Sequence, residues 1–138
     1  MPEINAYLTF DGSCAEAMRF YESTLGGKLS LMTVAESPMA SQASPATANR
    51  VIHAHLSVDG AILLASDSMP GHAYDRMQGF SVSLNYSTAA EARRIFDALA
   101  AGGQVIMPID KTFWSEAFGM LVDRFGTPWM VNTASPRA

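Results

Sequence analysis

Cysteine occurs once in the 138 residues, as Cys14. An intramolecular disulfide is therefore excluded, and the fold must be held by its core. Basic clusters are missing as well. Nine Lys+Arg stand against thirteen Asp+Glu, a net charge of −4, and no run of cations exceeds the pair Arg93-Arg94. Nucleic acid and anionic membrane surfaces both need clustered Lys and Arg, so neither is expected as a partner. Long apolar runs are also absent, and nothing approaches the roughly 20 residues of a membrane span. The opening residues Met1-Pro2-Glu3-Ile4-Asn5 lack the charged and apolar regions of a signal peptide. A single thiol suits a reducing compartment, so a cytoplasmic protein is expected.

What is present is a repeat. Residues 13–27 read S-C-A-E-A-M-R-F-Y-E-S-T-L-G-G and residues 88–103 read T-A-A-E-A-R-R-I-F-D-A-L-A-A-G-G. Ser13 aligns with Thr88, Glu16 with Glu91, Arg19 with Arg94 and Glu22 with Asp97, all at an offset of 75 (88 − 13). Each copy follows one strand-like run and precedes another. Such a repeat predicts two similar modules packed about a pseudo-twofold axis, with a ligand cleft where they meet. About half the residues are apolar, enough for a core in one compact domain.

The local patterns fill in each module. Residues 4–10 and 80–86 read as first strands. Ser13 with Glu16, and Thr88 with Glu91, are capping boxes that start helices. Cys14, Ala17, Met18, Tyr21 and Leu25 fall on one stripe, as do Ala92, Ile95, Phe96 and Leu99. Gly26-Gly27 and Gly102-Gly103 stop the helices. Residues 28–35 and 104–109 are the next strands, and residues 36–49 a long loop. Residues 50–58 alternate: Ile52, Ala54, Leu56 and Val58 share one face, His53, His55 and Ser57 the other. Asp59-Gly60 is a two-residue hairpin turn leading to a strand at 61–66. The second module ends in a hairpin of residues 117–122 and 128–133. The expectation is an α+β fold: two βαβββ modules, 1–66 and 79–134, joined by a connector at 67–78. Their mixed sheets curl around a cleft, with helices on the outer face.

Three segments carry a family resemblance: residues 7–27 (Y-L-T-F-D-G-S-C-A-E-A-M-R-F-Y-E-S-T-L-G-G), 53–60 (H-A-H-L-S-V-D-G) and 123–132 (D-R-F-G-T-P-W-M-V-N). Together they resemble the PhnB-like branch of the vicinal oxygen chelate superfamily, which includes glyoxalase I, extradiol dioxygenases and bleomycin-resistance proteins. That branch often bears the domain label 3-demethylubiquinone-9 3-methyltransferase. The resemblance implies the two-module fold and a homodimer. Metal-dependent relatives place ligands on the first and last strands of each module. Here those positions fall near Ala6, Leu64, Ser81 and Met130, none of which is His, Glu or Gln. Divalent ions need several imidazole or carboxylate donors at one point, so no metal is expected. No glycine-rich turn follows the first strand, so no cofactor is expected either.

His53, His55 and Ser57 are the leading candidates to contact a ligand in the cleft. The plain alternative is that the histidines bond to neighbouring strands or to solvent; less favoured are acid and base roles or a non-standard metal held with Asp67 or Glu116. Ser81, Trp114 and Met130 are the other cleft candidates. Phe113-Trp114, Trp129-Met130, Met32 and Met107 offer polarizable apolar walls, or else ordinary core or a dimer seam. His72, Tyr74 and Met39 sit in segments that could close over a ligand. Cys14, on the apolar stripe, reads as packing. The expected function is metal-independent binding of a small, partly apolar molecule. The alternatives are a metal-dependent glyoxalase- or dioxygenase-type enzyme and a drug-sequestering resistance protein.

Overall fold

A computed structural model describes residues 2–69 and 73–133. The expected βαβββ order appears twice. The first set is β1 (Ala6–Phe10), α1 (Cys14–Leu25), β2 (Lys28–Thr33), β3 (Val51–Val58) and β4 (Ala61–Asp67). The second is β5 (Val82–Tyr86), α2 (Ala89–Ala100), β6 (Gln104–Asp110), β7 (Phe118–Val122) and β8 (Pro128–Thr133). Contacts divide the chain between Arg76 and Met77 into two compact units. Each holds one four-stranded mixed sheet, ordered β1-β4-β3-β2 and β5-β8-β7-β6. In each, the first and last strands pair in parallel and the others antiparallel. No helix among the described residues is long and apolar enough to cross a membrane.

Both cores follow from the periodicities. Cys14, Ala17, Met18 and Tyr21 are fully buried on α1, whose sheet supplies Leu8, Phe10, Ala54, Leu56 and Ala65. Ala92, Ile95, Phe96 and Leu99 are buried on α2, whose sheet supplies Leu121, Trp129 and Val131. Strand alternation and helical stripes thus meet on one side of each sheet. The turn at Asp59 (φ 48°) and Gly60 (φ 86°) has both central residues left-handed, the primed geometry that fits strand twist. Gly27 answers a different need. A Cβ there would strike the Ser57 carbonyl, so only glycine lets β2 start against β3.

Several boundaries differ from the pattern reading. β1 starts at Ala6 rather than residue 4, and β5 at Val82 rather than residue 80. β4 runs on through Asp67. The loop after β2 is built of turns. Its base is closed by Val34 N–H to Arg50 O (3.0 Å) and Ala35 N–H to Ala48 O (3.1 Å). Buried Ser37 donates to Val34 O at 2.7 Å, and a 3-10 turn spans Ala40–Gln42. Met39 and Tyr74 are exposed, while His72 lies outside the described residues.

The two helix starts differ, and the difference organises the first unit. Thr88 caps α2 as expected, its hydroxyl accepting from Glu91 N–H at 3.2 Å. Ser13 makes no such bond. Asp67, brought alongside by β4, does its work. One carboxylate oxygen accepts from Gly12 N–H (2.8 Å) and Cys14 N–H (3.0 Å), the other from Val51 N–H (2.9 Å). The cause is one extra residue in the β1–α1 turn. The helices are offset by 75 (89 − 14), but the first strands by 76 (86 − 10). Ser13 keeps the N-cap position, its carbonyl accepting from Ala17 N–H at 2.9 Å, but at φ −102° and ψ 9° it lacks the extended conformation of Thr88, and a carboxylate from the last strand reaches in. At the equivalent place in the second unit stands Thr133, level with Tyr86 as Asp67 is with Phe10. Its hydroxyl accepts from Ala117 N–H at 3.1 Å, as Asp67 accepts from Val51.

Removing the Asp67 carboxylate would orphan three amides, two of them on buried residues. Asp67→Ala is expected to cost about 3 kcal/mol or more, against about 1 kcal/mol for Thr88→Ala and under about 0.5 kcal/mol for Ser13→Ala. Urea midpoints of the three variants check this ranking. A Ser13→Ala loss as large as that of Asp67→Ala would overturn it.

Candidate functional site

α1 covers one side of the first sheet. The other side carries the alternate residue of each strand. On β3 these are His53, His55 and Ser57, as expected; His53 is exposed and the other two half-buried. Register then adds neighbours. Tyr7 lies level with Leu64, Leu64 with His55, and His55 with Ser30, so one row crosses the whole sheet. Met32 lies beside His53, and Lys28 beside Ser57. Tyr7 and Met32 are 51% and 41% exposed. Tyr7, Lys28 and Ser30 were missed as site residues. The buried-side alternation of Leu8 with Phe10 and of Leu29 with Leu31 was the signal that would have turned them outward.

The remaining candidates belong to the second unit. Met130 stands on that sheet's helix-free side, level with Ser83 on β5 and Met120 on β7. Met107 is level with Met120, which makes a row of three methionines. Trp114 packs edge-on against Phe118 of the same side (5.3 Å between centroids) and against Phe113 (4.7 Å). Ser81 needs correction. It precedes β5, and register sets Ser83 beside Met130, where Tyr7 stands beside Leu64. The slip is two residues: one is the extra turn residue in the first unit, the other the first-strand position itself, expected at Ala6 and set by register at Tyr7. Trp129 is core rather than wall: it is fully buried, and its indole N–H donates to Asp123 at 2.8 Å. The other Asp123 oxygen accepts from Phe125 N–H (2.9 Å) and Thr127 N–H (3.0 Å). The 123–129 segment is therefore a carboxylate-centred turn.

Of the four positions expected from metal-dependent relatives, near Ala6, Leu64, Ser81 and Met130, register sets Tyr7 rather than Ala6 level with Leu64, and Ser83 rather than Ser81 level with Met130. A phenol, an isobutyl group, a hydroxyl and a thioether do not suit a divalent ion that wants imidazole and carboxylate. Among the described residues no group of three His, Cys, Asp or Glu is placed to hold one. Asp67 does not complete a site with His53: it faces the helix side and its oxygens are taken by backbone amides. Glu116 is exposed and belongs to the second unit.

The family model for 3-demethylubiquinone-9 3-methyltransferase matches residues 2–132. The chain belongs to that family, the PhnB-like branch of the vicinal oxygen chelate superfamily. Protein YjdN of Escherichia coli is 35% identical over 140 residues, covering 94% of this chain and 93% of its own. The crystal structure of protein PA1353 from Pseudomonas aeruginosa is 42% identical, with a TM-score of 0.91 over 99% of this chain and 100% of that one. A Bacillus cereus PhnB protein, described as a putative 3-demethylubiquinone-9 3-methyltransferase, is 28% identical, with a TM-score of 0.80 over 96% and 100% of the two chains. A glyoxylase/bleomycin resistance protein/dioxygenase domain from Frankia, 14% identical at a TM-score of 0.64, shares the fold. The methyltransferase label draws no support from the turn after β1, where a glycine-rich cofactor cradle would stand. The turn after β1 has a single glycine, Gly12, and its amides at α1 are already bound by Asp67.

Cys14 sits at the same helix start, yet it is no nucleophile. Burial first, and the Asp67 carboxylate second, push its thiol up to about 12. The thiolate is the reactive form, so at pH 8 the folded chain should react with a disulfide reagent only as it unfolds. Thiol titration with and without urea checks this. Rapid modification of the native chain at pH 8 would contradict it.

Proposed function

We propose that this PhnB-like chain binds a small, partly apolar molecule on the helix-free face of its first sheet, without a metal, as a cytoplasmic homodimer. The row Tyr7–Leu64–His55–Ser30 carries the reading. It sets two hydroxyls and an imidazole around an aliphatic side chain, on a face the helix leaves open. Sites for small molecules combine apolar walls with a few placed polar groups in this way. The row needs no ion to be complete, and the residues at the family's metal positions do not suit one. Protein purified without chelator should hold far less than one Zn, Ni, Fe or Mn per chain, and chelator should leave Tm unchanged. One tightly held ion per chain would favour the metal-dependent enzyme instead.

A drug-sequestering role is favoured by a separate observation. The second unit's open side combines Met107, Met120 and Met130 with Trp114 packed edge-on against Phe118, a polarizable surface for planar apolar molecules. Binding of such molecules with no turnover would support it.

The dimer reading rests on β6, an edge strand whose Val105, Ile106 and Met107 are 45%, 53% and 44% exposed. Exposed apolar edges are ordinarily covered, and a second copy is the occupant proposed here. Light scattering at micromolar concentration should give the dimer mass for the parent and a lower mass for Ile106→Glu. A parent that scatters as a monomer would sink the dimer.

A further inference from the structure

The two units repeat one another, so each serves as a control for the other. Register equates Tyr7 with Ser83, Leu64 with Met130, His55 with Met120 and Ser30 with Met107. The second unit's row is three thioethers and one hydroxyl, whereas the first unit's row has three hydrogen-bonding groups. The first face also stands apart in charge. The chain as a whole is at −4, yet no strand residue turned to this face is Asp or Glu. Carboxylates close by are placed elsewhere. Asp67 faces the helix, Asp11 pairs with Arg50 at 2.9 Å, and Glu22 accepts from Leu29 N–H at 2.8 Å. Asp59 lies in the turn beyond Val58.

The face instead carries the Lys28 ammonium, the His53 and His55 imidazoles, and the hydroxyls of Ser30, Ser57 and Tyr7. Among the described residues Lys28 has no carboxylate within ion-pair distance. Several donors and a free cation on one face complement negative oxygen, and such charge-assisted bonds are about twice as strong as neutral ones. Leu64 and Met32 lie among them as apolar contacts.

Building on the binding reading above, we infer that this face recognises an oxyanion, a carboxylate or a phosphate monoester, carried by a small molecule with a short apolar chain. Three probes with the same six-carbon chain test it: hexanoate, hexyl phosphate and hexan-1-ol, titrated while backbone amide shifts are followed by NMR. At least one anion should move the amides of β2 and β3 with a Kd about tenfold or more below that of hexan-1-ol. The Lys28→Gln/His55→Gln double variant, its spectrum otherwise that of the folded parent, should lose about tenfold for the anion and keep its affinity for the alcohol. Whichever anion binds tighter identifies the group. If the alcohol moves the same amides as tightly as both anions, the face binds ligands but the oxyanion inference is wrong. If no probe moves β2 or β3 amides, the binding reading fails and the inference with it.

Discussion

Much of the first unit depends on one carboxylate. Asp67 ends β4, faces the helix side, and closes three amides that belong to three parts of the chain: the β1–α1 turn, the first turn of α1 and the start of β3. Beside it Arg50 ties Asp11 to Ser68. Buried amides without partners are costly, so this junction holds α1 at the angle that lays Cys14, Met18 and Tyr21 on the sheet. It also seals the helix start, whose amides at Gly12 and Cys14 are taken up by the carboxylate. The second unit reaches the same end with hydroxyls: Thr88 caps its helix, while Thr133 and Ser115 tie the end of β8 to the start of β7.

Local signals made most of this legible from sequence. The helical stripes emerged as the buried sets, with Leu25 at the end of α1 only half-buried, because periods of 3.6 and 2 dictate which side chains share a face. Thr88 was readable because its partner lies three residues away. Asp67 was not, since Cys14 lies 53 residues before it and no periodicity connects them. Ser81 was displaced in part because an offset true for the helices fails across a turn one residue longer. His53 and His55 were visible as an outward pair on one strand. Their neighbours Ser30, Leu64 and Tyr7 became a row only once register aligned four strands.

The repeat explains how one scaffold can carry two different surfaces. Helix-side positions keep their apolar character in both units, because each must fill a core under a similar helix. The helix-free sides fill no core under a helix, and there the copies diverge: imidazole, phenol and hydroxyls on one, thioethers and aromatics on the other. Family membership speaks to the first set of positions and is silent on the second. Recognition chemistry is therefore argued from the side chains themselves.

The central claim is that the first sheet divides its work by face, with stability on the helix side and binding on the open side. Urea unfolding of two variants tests it most directly. His53→Ala combined with His55→Ala should leave the midpoint near that of the parent. Leu56→Ala, next to His55 in sequence but fully buried on the other face, should cost about 2–5 kcal/mol. A double histidine variant that loses as much stability as Leu56→Ala would contradict the division.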